Sequence, residues 1–178
     1  MPGTVAEVIE AVLEPLRQVA NCITHARLVT CGFTPNELHT VTFGGGQDEI
    51  ALRTRAGARV SLLFAHSFRA TLDQDSQSWR VHSAHYMYTL SDADGREVVS
   101  YHWHPDSERS PLRDPHVKIP AATRLHSLER VHFPTGRISF ESVVRFAIDE
   151  LDVVPIANDY AQRLDVTEAE FRRTRSWA

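Results

Sequence analysis

The sequence predicts an α+β fold: an antiparallel β-meander of about six or seven strands, packed by an N-terminal helix and two C-terminal helices. Three features predict it. Apolar residues recur with helical spacing near both ends, a long central stretch alternates apolar and polar residues, and short turns separate its alternating segments.

The elements follow in order. Thr4-Val5-Ala6-Glu7 has the form of a capping box, and Val5, Val8, Ile9, Val12, Leu13 and Leu16 continue with helical spacing. Pro15 is expected to kink or end this helix near Glu14, because proline lacks the backbone N–H that a helix interior uses. From Ile23 to His104 the period becomes two, with strands expected near 23–31, 38–43, 49–55, 59–72, 79–90 and 96–104. Gly44-Gly45-Gly46, Ala56-Gly57 and Asp92-Ala93-Asp94-Gly95 supply turns between them. Val60, Leu62, Phe64, His66 and Phe68 alternate most clearly, which places their strand in the middle of the sheet with one face on the core. The segment from Pro105 to Pro115 reads as an exposed loop, and a short strand follows at His116 to Ile119. Ser139 caps a helix whose apolar face is Phe140, Val143, Val144, Ala147 and Leu151, and Val153-Val154-Pro155 ends it. Thr167-Glu168-Ala169-Glu170 has the form of a second capping box, opening a terminal helix.

No linker-like stretch divides the chain, so residues 1–178 read as one domain. No apolar run approaches the roughly 20 residues that cross a bilayer, so no membrane contact is expected. The N-terminus carries no basic segment followed by an apolar one, which leaves the cytoplasm as the expected location. Cys22 and Cys31 are too few for a disulfide framework and are expected to be buried thiols. A formal net charge of −4 argues against coating nucleic acid by bulk electrostatics but leaves room for a local basic groove. Of the basic residues only Lys118 is a lysine; the others are arginines, whose planar forks suit phosphate or carboxylate.

Function points to the histidines. Seven of the ten fall between His82 and His132, and His102 and His104 form a His-x-His pair on an expected strand, so both project from one sheet face. A two-residue turn at Asp94-Gly95 would pair His85 with His104, and a turn centred one residue earlier would pair His85 with His102. Either register gathers His85, His102 and His104 on one face. Tyr86, Tyr88, Leu90, Val99, Tyr101 and Trp103 then take the other, packed face. His116 and Lys118 on the next strand are expected to join the histidine face, below a loop carrying Asp106, Glu108, Arg109, Arg113 and Asp114.

Two chemistries suit such a face. Cleavage of RNA by its own 2′-hydroxyl needs a base, an acid and positive charge on the phosphate. Histidine serves in either proton-transfer role near neutrality. This assigns His102 or His104 as base, His85 or His116 as acid, and Lys118, Arg113 or Arg137 as phosphate ligands, with no metal and no cofactor required. The second chemistry is metal binding. His102-x-His104 with Glu108 four residues on resembles the first cupin motif, in which two histidines and a glutamate bind a divalent metal inside a β-barrel. Gly95 stands near that motif's first glycine, Pro115 stands where a closing glycine is expected, and no second cupin motif follows.

The stretch Asp114-Pro115-His116-Val117-Lys118-Ile119, followed by Val131-His132-Phe133-Pro134-Thr135-Gly136-Arg137 and the helix opened by Ser139-Phe140-Glu141, resembles the TumE-like toxins of bacterial toxin–antitoxin pairs. The resemblance spans roughly His102 to Leu151 and does not account for the N-terminal helix and first strands. It implies a cytoplasmic toxin acting on RNA and held inactive by an antitoxin protein. A non-catalytic module is the remaining class: terminal helices and strand edges would form a homodimer or partner interface, with the histidines as plain surface.

Overall fold

A computed structural model describes residues 4–44, 49–106, 113–120 and 132–174. Helix α1 (Val5–Ala20) opens the chain, capped by Thr4, whose hydroxyl accepts from the Glu7 backbone N–H while the Glu7 carboxylate accepts from the Thr4 N–H. Among the described residues eight strands follow: β1 (Leu28–Thr30), β2 (Leu38–Phe43), β3 (Glu49–Arg53), β4 (Arg59–Asp73), β5 (Ser78–Ser91), β6 (Glu97–Trp103), β7 (His116–Lys118) and β8 (Phe133–Pro134). Helices α2 (Phe140–Asp149) and α3 (Tyr160–Thr174) complete the α+β fold.

All strand pairs are antiparallel, in the order β1-β2-β4-β5-β6-β7-β8. The order departs from a simple meander at β3, which pairs with the first half of β4 while β2 pairs with its second half. Strand β4 is thus central, as its alternation predicts. Val60, Leu62, Phe64, His66 and Phe68 are all buried. The four apolar ones meet Ile9, Leu13, Leu16 and Val19 of α1 and Phe140, Val143, Val144 and Ala147 of α2 in one core.

Four expectations are corrected. Pro15 lies inside α1, which continues to Ala20. Leu13, Leu16, Val19 and Ala20 are buried around it, and burial at about 1.5–3 kcal/mol for each large side chain exceeds the roughly 3 kcal/mol an interior proline costs. The first strand is shorter than expected, because the chain after α1 stays coiled, with the Ile23 N–H bonded to the Ala20 carbonyl at 3.0 Å. Thr167 is no cap: α3 begins at Tyr160, and the Thr167 hydroxyl donates back to the Arg163 carbonyl at 2.9 Å. Cys22 is buried, whereas Cys31 is exposed just beyond the end of β1.

The Ser139 cap is as expected, its hydroxyl accepting from the Ser142 N–H at 3.1 Å. Phe64 sits at the centre of the core, with ring centroids 4.5 Å from Phe140 and 5.2 Å from Tyr88. Phe64→Ala is expected to lower unfolding free energy by about 3–5 kcal/mol in urea denaturation, as a large cavity does.

Candidate functional site

The β5–β6 pairing places Tyr86 opposite Trp103, Met87 opposite His102 and Tyr88 opposite Tyr101. Continued to the strand end, this register brings His85 level with His104, and both line one groove. It is the register of a two-residue turn, reached by another route. The Asp92 N–H donates to the Arg96 carbonyl at 2.9 Å across a three-residue loop, Gly95 takes a positive φ of 76° that favours glycine, and a bulge beside Leu90 restores the pairing.

On the face away from the helices, His102 pairs with His116 of β7, and Ser100 with Lys118. His102, His104 and His116 each present one ring nitrogen, and these three atoms lie within 4.8 Å of one another. Ring centroids are 5.6 Å apart for His102 and His116, and 5.1 Å for His104 and His116. His132, just before β8, adds a fourth imidazole with its ring 4.8 Å from that of His116.

Hydrogen bonds fix how the nitrogens point. His116 Nδ1 lies 2.9 Å from the Asp114 carbonyl oxygen, which can only accept, so Nδ1 carries the proton and Nε2 carries a lone pair. That Nε2 is buried and, among the described residues, has no hydrogen-bond partner, in a residue only 2% exposed. His102 Nε2 meets the Ser100 hydroxyl, which in turn meets the Thr89 hydroxyl. The chain runs in either direction, and with His102 donating to Ser100 and Ser100 to Thr89 it leaves His102 Nδ1 with its lone pair. Both imidazoles are thus oriented by a hydrogen bond through one ring nitrogen, as metal-ligating histidines commonly are.

The local electrostatics favour neutral rings. Burial pushes His102 down to about 4, helped by the positive charge of Lys118 and by His116, His104 and His132. Burial also lowers His104, with His116, His132 and His85 acting in the same direction. His85 is lowered by burial and partly restored by Asp106.

Beside His104 a groove of about 580 Å³ runs over β5, lined by His82, His85, Arg69, Leu38 and Asp106. His82 reaches it because Ala84 bulges out of the β4–β5 ladder: Ser67 pairs with His85 and Phe68 with Ser83, so His82 and His85 share a face despite odd spacing.

Of the residues expected at the site, the structure brings together His85, His102, His104, His116 and Lys118, whose ammonium is 3.7 Å from Glu97. Arg113 is exposed on the segment leading to β7. Arg137 does not join them: its guanidinium lies 3.7 Å from the centroid of Trp103, whose ring belongs to the packed face, because the chain after β8 turns toward α2. Glu108 and Arg109 lie outside the described residues. Sequence reasoning gave no role to His82 or His132, since a bulge and the short β8 pairing carry no local signal. On the packed face, a cavity of about 20 Å³ between Tyr86, Tyr88, Arg137 and Phe171 has room for one water at most.

Comparison with protein-family models, with curated proteins and with solved structures found no match. Among the described residues no helix is long and apolar enough to cross a membrane.

In the metal-free protein His102 titrates below its unfolded value, so the unfolded chain binds protons first as pH falls. The stability His102 contributes is present above about pH 6.5 and is lost progressively toward about pH 4. Urea unfolding across that window is expected to show stability falling with acidity, and His102→Gln to flatten the fall.

Proposed function

We propose that the protein is a divalent transition-metal protein, with one ion held by His102, His104 and His116 and a coordination position open toward the β5 groove. The observation that carries this reading is the convergence of one ring nitrogen from each of His102, His104 and His116 to within 4.8 Å, in a cluster where, among the described residues, the buried His116 Nε2 has no hydrogen-bond partner. A polar atom with no partner in a dry site costs about 1–3 kcal/mol, and an ion supplies the partner it lacks. Three imidazoles suit zinc, nickel, copper or iron, and the lowered His102 and His104 bind without first losing a proton. Nitrogens on one tetrahedral zinc, at about 2.0–2.1 Å each, sit roughly 3.4 Å apart. The present spacing of up to 4.8 Å therefore needs a contraction of roughly an ångström or more, within reach of small side-chain rotations.

Three protein ligands and a vacant position are the pattern of catalytic rather than structural sites. Held by His102, His104 and His116, such an ion would supply Lewis-acid chemistry and acidify a water molecule, which would suit hydrolysis of a substrate in the groove. Arg69 and His82 there offer donors to an anionic group.

The purified protein, titrated with zinc or cobalt in a calorimeter, is expected to bind one ion per chain. His116→Ala should abolish that binding, Ser100→Ala should weaken it about 10–100-fold through the lost support of His102, and His82→Ala should leave it intact. Equal affinity in wild type and His116→Ala would remove the metal reading.

The convergence of His85, His102, His104 and His116 with Lys118 beside them also favours a second reading, an RNA-cleaving toxin whose histidines act without metal, restrained by an antitoxin. Acid catalysis would then fall to an imidazole that is protonated near neutrality, a demand that the lowered His85, His102 and His104 meet poorly. Induced expression in a bacterial host separates the readings. Growth arrest relieved by His102→Ala with His104→Ala, together with RNA cleavage that persists in a chelator, is the outcome the toxin reading expects. Cleavage abolished by the chelator and restored by added ion is the outcome for a metal centre.

A further inference from the structure

A second reactive pair lies at the far edge of the sheet, away from the histidine cluster. His39, on β2, is 3% exposed and packs its ring 5.8 Å from that of Phe68. Its Nε2 is 2.7 Å from the carbonyl oxygen of Thr34. A carbonyl only accepts, so Nε2 carries the proton and Nδ1 is left as a base. Nδ1 faces the Cys31 thiol, with Sγ 3.9 Å away, and Cys31 itself is exposed. The Thr40 backbone N–H also donates to the Cys31 sulfur. Nucleophile, base and a group that orients the base thus stand in line, with a backbone donor ready to hold negative charge on sulfur.

We propose that Cys31 is a histidine-activated nucleophile that exchanges with low-molecular-weight disulfides, forming a reversible mixed disulfide at the edge of the sheet. The thiol proton passes to His39 Nδ1, and the Cys31 thiolate attacks one sulfur of the disulfide. The Cys31–sulfur bond forms as the disulfide's own bond breaks, and the departing thiolate takes the proton back from His39. The Cys31 sulfur is oxidised to the disulfide level as the departing sulfur is reduced to the thiol level, so the exchange needs no other oxidant, and a second thiol reverses the step.

The surrounding groups act in the same direction. The Thr40 hydrogen bond and then His39 lower Cys31, while the Thr34 carbonyl, Cys31 and the carboxylate of Glu37 raise His39. Cys22 is the internal contrast: it is buried, and burial raises it, so it stays an unreactive thiol.

The test is alkylation of the full chain by iodoacetamide across roughly pH 5.5–9, read at each cysteine by peptide mass. Cys31 is expected to react well ahead of Cys22, with a pH midpoint below the roughly 8.5 of a free thiol. His39→Gln is expected to slow the neutral-pH rate about tenfold, the change in thiolate for each unit by which a thiol is lowered. Oxidised glutathione should add one glutathionyl group at Cys31, removable by dithiothreitol. An ordinary-thiol profile in wild type overturns the proposal whether or not His39→Gln folds, and so does fast alkylation without a glutathione adduct.

Discussion

The pleat of β5 and β6 is the constraint on which the rest of the molecule depends. Side chains alternate across a strand, so the register that buries Tyr86, Tyr88, Leu90, Val99 and Trp103 against the helices must send His85, His102 and His104 to the other face. A slip of one residue would move the aromatic set into water and drive imidazoles into the core. At about 1.5–3 kcal/mol for each large apolar side chain, five such losses rival the whole stability of an ordinary domain. The rings are also pinned individually. Tyr86 and Tyr88 stack with centroids 4.9 Å apart, the Tyr86 hydroxyl accepts from the Ile138 N–H at 3.0 Å, and Arg137 covers Trp103. The histidine cluster is therefore positioned by packing on the side of the sheet it does not touch.

That division explains what sequence could and could not reveal. The His-x-His spacing, the aromatic alternation and the turn at Asp92–Gly95 are local patterns, and together they place His85, His102, His104 and His116 on one face. The strand register is narrowed to two alternatives, and the structure takes the one that sets His85 level with His104, through a three-residue loop with a bulge. What escaped depends on contacts between distant segments. The Ala84 bulge exists because β4 and β5 slip between Ser67 and Phe68, and it alone puts His82 beside His85. His132 joins through a two-residue strand, and Arg137 leaves because the chain after β8 turns to the packed face. Pro15 and Thr167 both carry strong local signals that tertiary burial overrides. The exposure of Cys31 follows from β1 ending at Thr30, which its apolar neighbours do not indicate.

Two histidine environments in one sheet illustrate how position decides chemistry. His39 gives a proton to a carbonyl, faces a thiol and has Glu37 nearby, all of which favour the charged ring. His102 is set among other imidazoles with Lys118 beside it, and burial and like charge both favour the neutral ring. The first environment suits a proton acceptor for a nucleophile, and the second suits a ligand for a cation.

The burial that keeps His102 neutral needs its own explanation, since among the described residues no helix covers that face. Ser67 and Ser100 lie on it and are nonetheless fully buried. Each is small and sits beneath larger neighbours: Ser67 pairs with His85 and bonds to the Thr40 hydroxyl at 2.7 Å, and Ser100 pairs with Lys118 and bonds to Thr89 and His102. Small hydroxyl residues let the longer side chains fold down over the sheet, so the imidazoles form a thin second layer and desolvate one another. A layer made of like groups gains little by packing alone, because each ring disfavours a proton on the next. A cation shared among their lone pairs reverses that balance, turning mutual repulsion between protonated rings into common attraction to one ion. On this reasoning the hydroxyl floor and the crowded imidazoles above it are parts of a single device, and the floor matters as much to the ion as the ligands do.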